Sequence, residues 1–456
     1  MRHLFWTIFA IWMRLRRGLD GARLRMHARR VIVTRAPRAF VSYPEPKSPG
    51  VFARGQQMMN GNFRVAGQLI EAPGRAIWAI SADPLVVEEL HGCAWVDDMA
   101  ATATPEGRRR LQAWVAEWIR LYGAGAGLGW RPDLTGQRLI HWISHAIFIL
   151  QGQDKSATSS FLRSVSRQAR FLGRTWRLAP HGLPRIRALC GLAYASLALE
   201  GGSTGLDKVL KRLGKECARS IGADGSIASR APEELAEVFA LLVWAARVVE
   251  EADQTPDPDH LAAIARIAPT LRLLRLGSGA LVRFHGGGRG DTVRLDQALA
   301  DSGVRTGPDG AARMGFSRLA TARTVVVVDA APPPHGGASL RAQAATLAFE
   351  MSSGRDPMIV NTGPGRNFGS EWSVAARASA CQSTLVAADT SSAQLWERGF
   401  VAATLGPRLV QGPRHVTEDS ATDATGLWLL GSHDGYLRRF GLTHDRRLFL
   451  SPDGGE

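Results

Sequence analysis

The sequence predicts a chain of two main parts, a long helical region followed by a β-rich region that forms a sandwich or stacked sheets. From Asp83 to residue 276, apolar residues recur at helical spacing, and short linkers rich in Gly, Pro and Asp divide the pattern. After Leu276 the chain changes to short runs that are rich in β-branched residues and bounded by turn residues. This order, with helices before strands, is the main constraint on the fold.

The length, composition and charge of the chain limit its class. At 456 residues it has room for two or three domains, and 45% hydrophobic with 21% charged residues is typical of globular proteins rather than disordered or membrane-embedded ones. The four cysteines form no CxxC pair, which argues against a zinc cluster or a disulfide framework. A net charge of +15 favours a polyanionic partner, such as acidic polysaccharide, nucleic acid or an anionic membrane surface.

Residues 1–82 are expected to form a basic helix and an extended arm. Residues 1–40 contain ten arginines and one acidic residue, Asp20. The run LFWTIFAIWM resembles the core of a signal peptide, but RLRRG follows where a cleavage site would lie. This run is too short to span a bilayer, which needs about 20 residues. We therefore expect a basic amphipathic helix that packs on the protein or rests on a membrane surface, with a cleaved signal as the alternative.

The helical region, 83–276, is divided by its linkers into segments of helical length. We predict helices at 84–100, 106–121, 135–150, 157–178, 184–199, 205–221, 232–251 and 258–275. Pro232 followed by Glu233 and Glu234 is a conventional start, because proline suits the first turn and acids suit the positive end of the helix dipole. Short linkers of this kind favour antiparallel helix pairs.

The β-rich region, 277–456, contains the predicted strands. They are ALVRF, RTVVVVDA, ATLAFEM, PMIVNTG, QSTLVAAD, GLWLLGSHDGYLRRFG and RRLFL. The stretch from Gln343 to Gly363 therefore reads as two strands joined by a short Ser-Gly turn. SPDGGE is a turn with no strand after it, so we expect an open sheet edge and a shortened sandwich.

The predicted helix at 157–178 carries an arginine stripe. Its members, spaced four, three, four and three residues apart on one helical face, are Arg163, Arg167, Arg170, Arg174 and Arg177. The opposite face is apolar. Two interpretations stay open: a solvated face of an amphipathic helix, or a cleft wall for a polyanion, because arginine forks match carboxylate and sulfate geometry.

Three further motifs have structural and functional interpretations. His141 and His145 have the spacing of a metal pair, but no third ligand is evident, so histidines of the core or of a pocket wall are favoured. HGGGRGD at 285–291 lacks the lysine of a phosphate loop and reads as a flexible turn. Trp130, beside Arg131, could stack on a sugar ring or serve as a buried anchor.

Eight ordered blocks of the chain resemble the heparinase II/III-like proteins. They are GNFRVAGQ, LHGCAWVDDM, WRPDLTGQRLIHWISHA, SRQARFLGRTWRLAPHGLPR, DGSIASRAPEEL, ATLAFEMSSGRDPMIVNTG, RASACQSTLVAADTSSAQL and HDGYLRRFGLTHDRR. The resemblance implies an incomplete α/α toroid, here 83–276, followed by an antiparallel β-sandwich, here 277–456. It also implies a polysaccharide lyase that acts on chains containing uronic acid, and a location in the cell envelope or periplasm. A cytoplasmic location stays open because no clear cleavable signal is present.

The resemblance also shows departures at the positions that carry the family's chemistry. Gln343 occupies the position of the catalytic histidine and Gln382 that of a second histidine, while Asn361 replaces an aspartate of the structural zinc site. His181 and Gly182 replace the Asn-His pair of the toroid, and Glu234 occupies the position of the catalytic tyrosine. Glutamine cannot accept a proton near neutral pH, so catalysis would need other groups. No zinc or other cofactor is expected.

The remaining titratable groups of the HDGY block are the best catalytic candidates. They are His433, Tyr436 and His444. The substrate-binding candidates are the five arginines of the stripe together with Trp130, Arg131 and His181.

Three hypotheses result from these assignments. The first is a lyase of acidic glycan, and the second is a non-catalytic protein that binds acidic polysaccharide. The third is a basic protein that binds nucleic acid or anionic lipid. Nucleic acid is the least expected partner, because no nucleic-acid motif occurs. Peripheral membrane contact through the N-terminal helix is an additional expectation, and the oligomeric state stays open.

Overall fold

The computed structural model describes residues 2–31, 39–201, 205–308 and 310–452. It contains two compact units. The helical unit comprises Arg16–Ser220 and Ala240–Ala262, and the β unit comprises Met1–Leu15, Ile221–Phe239 and Ala263–Glu456. The sequence suggested one boundary near 276, whereas residues 221–239 and 263–276 group with the strands that follow them.

Most of the predicted helices lie within a few residues of their expected positions. The helices are α1 Arg2–Arg30, α2 Phe52–Met59, α3 Pro84–Gly92, α4 Trp95–Ala101, α5 Pro105–Tyr122, α6 Pro132–Ser144, α7 Ala146–Leu150, α8 Lys155–Thr175, α9 Leu183–Ala198, α10 Leu206–Ser220, α11 Pro232–Glu251, α12 Pro258–Leu273, α13 Thr292–Asp301, α14 Ser370–Ala375, α15 Gly399–Leu405 and α16 Leu437–Phe440. The predicted helix 84–100 is two helices, because Cys93 adopts a left-handed conformation with φ of 62°.

Side-chain caps and close backbone packing explain the main helices of the helical unit. Asp83, Thr104 and Asp154 accept a backbone N–H at the starts of α3, α5 and α8, which satisfies donors that a helix leaves unpaired. Helices α6 and α9 meet at Gly136 and Gly191. A Cβ at Gly191 would lie 2.3 Å from the Gly136 carbonyl oxygen, so this crossing needs glycine.

The β unit contains antiparallel sheets, as the sequence predicts. The strands of the chain are β1 Asn62–Val65, β2 Gln68–Glu71, β3 Phe316–Ala320, β4 Thr324–Asp329, β5 Phe349–Ser353, β6 Asp356–Ile359, β7 Gln394–Trp396, β8 Arg408–Gln411, β9 Val416–Thr422, β10 Leu427–His433 and β11 His444–Leu450. Strands β3-β4-β5-β6 form one sheet, β11-β10-β9 another and β7-β8 a third. The pair β1-β2 belongs to the helical unit.

A shared hydrophobic core joins the two larger sheets of the β unit. It contains Val326, Val328 and Met351 from the first sheet with Leu429 and Leu450 from the second. The turn between β5 and β6 contains Gly354 at a positive φ of 56°, which confirms the two strands predicted between Gln343 and Gly363.

Two predicted strands are wrong, and a third, GLWLLGSHDGYLRRFG, is a strand only to His433 and then contains α16. ALVRF forms only an isolated bridge at Leu281, and QSTLVAAD consists of turns. The reason in QSTLVAAD is the left-handed conformation of Ala388 and Asp389, which stops strand pairing. Among the described strands β11 lies at a sheet edge. The predicted terminal turn SPDGGE falls mainly on 453–456, outside the described residues.

Within the described residues, no helix combines the length and the apolar character that crossing a bilayer would require.

Candidate functional site

Gln343 is a buried structural side chain of the β unit, with 1% of its surface exposed. Its amide nitrogen donates to the carbonyl oxygens of Gly363 at 2.9 Å and Ala376 at 3.1 Å. Its amide oxygen accepts the N–H of Gly286 at 3.4 Å. The side chain thus ties three segments together and has no free surface with which to touch a polymer.

Gln382 and Asn361 lie in the same buried region and complete an amide cluster with Gln343. The Gln382 amide nitrogen donates to the same Ala376 carbonyl oxygen at 2.9 Å. The Asn361 amide oxygen accepts the N–H of Ser383 at 2.8 Å. Two buried polar atoms, Gln382 Oε1 and Asn361 Nδ2, have no hydrogen-bond partner among the described residues. The cluster is neutral and is only partly satisfied.

Glu350, on β5, is a buried carboxyl group that touches this cluster. One of its oxygens accepts the N–H of Asn361 at 2.9 Å and that of Arg283 at 3.0 Å. The other oxygen has no partner in the part of the chain that the structure describes. Burial raises the pKa of Glu350 to about 7, against an ordinary 4.5. This group therefore changes its charge near neutral pH. A single acid inside the apolar run ATLAFEM is the only sequence signal for it.

The three predicted catalytic groups of the HDGY block do meet, but in the interior of the β unit. His433 and His444 face each other across β10 and β11, with Nε2 and Nδ1 3.0 Å apart. His433 Nδ1 accepts the N–H of Gly435, so Nε2 carries the proton and donates a hydrogen bond to Nδ1 of His444. Burial, followed by the charge of His444, lowers the pKa of His433 to about 4. Tyr436 donates its hydroxyl proton to the Leu385 carbonyl at 2.5 Å.

The exposed fractions of these three side chains limit their chemistry. His433 and Tyr436 are 1% exposed, and His444 is 7% exposed. Each polar atom of His433 and the Tyr436 hydroxyl already have a protein partner. Their catalytic role stays a prediction, and their burial argues against direct proton transfer to a glycan in this conformation.

The histidine pair of α6 belongs to the core of the helical unit. His141 Nδ1 and His145 Nε2 both lie 2.9 Å from one oxygen of Asp97, on α4, and all three residues are buried. Burial by itself would raise the pKa of Asp97, but the charge and hydrogen bonds of the two histidines outweigh it and hold the pKa below its usual range. The preference for core histidines is confirmed.

Helix α8 carries the predicted arginine stripe on its outer face. Arg163, Arg170, Arg174 and Arg177 are exposed, and Arg167 is half-buried. Phe161, Val165 and Leu172 form the buried face. In the described part of the chain, none of these five arginines makes an ion pair with a carboxylate. The stripe is therefore an uncompensated positive surface.

The positive surface continues beyond α8 around Trp176. Three guanidinium groups lie over or beside the Trp176 ring, those of Arg177 at 4.9 Å, Arg212 at 5.3 Å and Arg185 at 6.0 Å from its centroid. His181 is exposed at the same end and lies 2.9 Å from the buried carboxylate Glu216. The structure thus brings Arg177 and His181 together through Arg185, which contacts both. The contribution of Arg212 was not foreseen, because it comes from α10.

Two of the predicted substrate contacts, Trp130 and Arg131, have partners within the helical unit. Trp130 is buried, and its indole N–H donates to the Tyr122 carbonyl at 2.7 Å, so the buried-anchor interpretation holds in place of the sugar contact. Arg131 binds Glu88 and, at 2.6 Å, Asp133, which neutralises its charge.

The HGGGRGD loop of the β unit is anchored. His285 is buried against Asp329, with Nε2 3.1 Å from Oδ2, and Asp329 also binds Arg230. The N–H of Gly288 donates to Glu233 at 2.8 Å. These contacts give the loop a structural role. Glu234, at the position of the family tyrosine, has contacts of its own.

Comparisons with known proteins agree with this architecture. Residues 304–456 match the family model described as heparinase II/III-like, C-terminal. The chain is 31% identical over 418 residues to FtsZ-localized protein C of Caulobacter vibrioides, which covers 89% of this chain and 70% of that protein. The chain belongs to the heparinase II/III-like family. Its fold is that of the heparinases, an α/α toroid with a β-sandwich.

Solved heparinase structures show the same fold at low identity. A crystal structure of heparinase III matches with a TM-score of 0.65 and 13% identity, over 95% of this chain and 73% of the other. A mutant of the heparan sulfate lyase HepC from Pedobacter heparinus matches with a TM-score of 0.53 and 16% identity, over 94% and 71% of the two chains.

The zinc site that the heparinase II/III-like resemblance implies does not fit the residues present. Zinc in proteins is bound by cysteine, histidine or carboxylate ligands. The position of the zinc-site aspartate holds Asn361, and the unpaired atom of that side chain is an amide nitrogen, which cannot bind a cation. Among the described residues no group of three or more His, Cys, Asp or Glu could hold a metal ion.

Proposed function

We propose that this chain is a non-catalytic binding protein built on a heparinase-type scaffold, and that it acts where FtsZ is localised. One observation carries the proposal. The position of the family's catalytic histidine holds Gln343, which is buried and uses its amide group to join backbone segments. β-Elimination from a uronate needs a group that accepts the C5 proton within hydrogen-bond reach, and an amide does not.

The remaining titratable groups offer no substitute on an accessible surface. His433, His444 and Tyr436 form an internal hydrogen-bonded cluster. Glu350 has a pKa suited to a base near neutral pH, but it is fully buried beneath the strand surface. A polymer cannot reach these groups unless the β unit opens locally.

Binding is supported by the surface of the helical unit. The exposed arginines of α8 present forked donors that face no carboxylate within ion-pair distance in the described part of the chain, and Arg212 adds a guanidinium group beside Trp176. Arg185, which also lies beside Trp176, pairs with Glu216 at 3.6 Å. Such donors bind carboxylate and sulfate groups in pairs. We propose an acidic polysaccharide as the ligand of this surface, in keeping with the lyase-type scaffold.

The site of action is proposed from the curated relative. FtsZ-localized protein C shares 31% identity with this chain over 89% of its length. We therefore propose that this chain co-localises with FtsZ, which is a more specific location than the cell envelope in general. A fluorescent fusion of this chain should coincide with a labelled FtsZ in its host, whereas a diffuse signal would refute this part.

The binding proposal is tested with charge reversals on α8. Arg170 and Arg174 are both exposed, so replacing them with glutamate leaves the core intact. Each lost contact to an anionic polymer is worth roughly 1.5 to 3 kcal/mol, so the double variant should bind heparan sulfate at least ~100-fold more weakly. The control is the double variant R109E/R120E on α5, which reverses two exposed arginines elsewhere in the same unit. Equal binding by both variants would exclude α8 as the binding surface.

A second candidate function is contact with an anionic membrane through α1. The exposed apolar residues on one face of α1 are Ile8, Ile11, Trp12, Leu15, Leu19 and Met26. On the other side, Trp6, Phe9 and Met13 pack around Ala10, Val401 and Leu405 of the β unit. Arginines flank the exposed face, as in interfacial helices that lie on anionic lipid.

Vesicle sedimentation tests the membrane candidate. The protein should sediment with phosphatidylglycerol vesicles and not with phosphatidylcholine vesicles, because both the apolar face and the arginines are needed. Leu15→Glu should abolish sedimentation. Leu69→Glu, at an equally exposed leucine of β2, should not. Sedimentation that is indifferent to Leu15→Glu would exclude α1 as the contact.

A further inference from the structure

A cavity of about 990 Å³ opens in the β unit between β7, β8, α16 and the turn before β7. None of the amide cluster residues lines it, whereas Tyr436 of the HDGY block does. Its size lies at the upper end of the range of small-molecule sites. Its lining is mixed, and the polar groups in it indicate a ligand class.

Four arginines and three carboxylates, those of Asp389, Glu397 and Asp434, line the cavity. In the part of the chain that the structure describes, three of these arginines make no side-chain hydrogen bond to the protein, although Arg439 lies over the Phe440 ring. Arg438 and Arg439 come from α16, and Arg414 comes from the loop after β8. All three are exposed, and among the described residues none has a carboxylate within ion-pair distance. Charged forks of this kind bind oxyanions with paired hydrogen bonds.

The two segments that carry these arginines are held together rigidly. An oxygen of Asp434 accepts the N–H groups of Arg414 at 2.7 Å and His415 at 3.2 Å. Gly435 permits the close approach, because a Cβ there would lie 2.9 Å from both Pro413 and the Ser392 carbonyl oxygen. The backbone therefore presents the arginines in one place before any ligand binds.

Neutral hydrogen-bonding groups line the same cavity. Gln394 and Gln411 are directly opposite each other on β7 and β8, and neither amide has a hydrogen bond in the part of the chain that the structure describes. The Ser391 hydroxyl oxygen accepts the N–H of Ser379 at 3.0 Å, while its own proton has no acceptor there. Amides and hydroxyls arranged in this way suit the hydroxyl groups of a sugar ring.

The rim of the cavity contains a strained turn. Ala388 and Asp389 have φ angles of 44° and 51°, in the left-handed region that residues other than glycine rarely adopt. The N–H of Thr390 closes the turn onto the Ala387 carbonyl at 3.0 Å, and Asp389 lines the cavity. Strain of this kind is concentrated at ligand sites, where it holds a side chain in a fixed position.

We propose that this cavity binds a sugar bearing one oxyanion, with a sugar phosphate as the first choice. The three arginines bind the oxyanion, while Gln394, Gln411 and Ser391 bind the ring hydroxyls. A carboxylate on the sugar could form the same paired hydrogen bonds with the arginines. The titration below compares a sugar phosphate with a sugar carboxylate.

Isothermal titration of the full chain tests the site with glucose 6-phosphate, glucuronate, glucose and inorganic phosphate. Glucose 6-phosphate or glucuronate should bind saturably, and the tighter of the two identifies the oxyanion. Glucose and inorganic phosphate should bind at least ~10-fold more weakly, because each lacks half of the contacts. Inorganic phosphate binding as tightly as the sugars, or no saturable binding by either sugar derivative, would overturn the proposal.

Variants connect the binding to this cavity. Arg438→Ala and Gln411→Ala remove one contact each and should leave the thermal stability unchanged. Arg438→Ala should weaken binding of the preferred ligand by ~10-fold or more, and Gln411→Ala should weaken it by ~3-fold. The control Arg355→Ala changes an exposed arginine of the same unit outside the cavity and should bind normally. Binding that survives both cavity substitutions would assign the ligand to another surface.

Discussion

Replacing Gln343 with alanine is expected to destabilise the β unit more than the same change at Gln382. The Gln343 amide makes two buried hydrogen bonds and a third, longer one with Gly286 at 3.4 Å, whereas the Gln382 amide makes one. Both changes delete the same atoms from a buried site, so the cavity cost is similar and largely cancels in the comparison. At about 1 kcal/mol of net stability for each bond, Gln343→Ala should cost about 2 kcal/mol more than Gln382→Ala.

The double variant contains a sharper test, because both amides donate to the Ala376 carbonyl oxygen. In either single variant that oxygen keeps one donor, and only the double variant leaves it unpaired and buried. We therefore expect the double variant to lose about 1 kcal/mol more than the sum of the single variants.

Equilibrium urea unfolding of the full chain measures these differences, with the exposed Gln394→Ala as the control. Equal costs at Gln343 and Gln382, or strict additivity in the double variant, would refute the hydrogen-bond pattern on which the structural role of Gln343 depends.

Three further predictions concern buried charges. Burial raises the pKa of Glu350 to about 7, so the stability that its protonated form contributes is complete below pH 4.5 and is lost as pH rises through 7. Glu350→Gln should remove about 3 kcal/mol of this pH dependence from the free energy of unfolding, measured from pH 4 to 8. The pH dependence of stability has the opposite sign at His433, because burial and His444 lower its pKa to about 4. Stability that is present above pH 6.5 is lost as pH falls through 4, and His433→Asn should reduce this loss of stability in acid. Asp97→Asn leaves His141 and His145 without their shared carboxylate and should cost about 3 kcal/mol or more, whereas exposed Asp259→Asn should be neutral in the same thermal melt.

The helices of this chain could be predicted from its sequence because their signals are local. Apolar spacing and caps such as Asp154 lie within a few residues of the element that they define. The same is true of the β5–β6 hairpin, where a glycine turn separates two β-branched or apolar runs. The elements that were predicted wrongly also have local causes. Cys93, Ala388 and Asp389 adopt left-handed conformations that could not be predicted from their residue types.

The candidate site could be predicted only in part, because its contacts join distant segments. The partners of Gln343 lie 20, 33 and 57 residues away in the chain, so its burial and hydrogen bonds could not be inferred from neighbouring residues. The arginine stripe was visible as a helical spacing, but the contribution of Arg212 around Trp176 depends on how α10 packs. The raised pKa of Glu350 likewise depends on burial by residues that are distant in sequence.

The central claim is that this heparinase-type scaffold binds without eliminating. The most direct measurement is the absorbance of unsaturated uronate in the far ultraviolet, recorded while the purified full chain is incubated with heparan sulfate, heparin and alginate beside an active lyase. We expect no increase above the protein-free baseline at concentrations where heparan sulfate binds in a salt-sensitive manner. An increase that scales with protein concentration, and that disappears in a His433→Ala or Tyr436→Phe variant with normal stability, would contradict it.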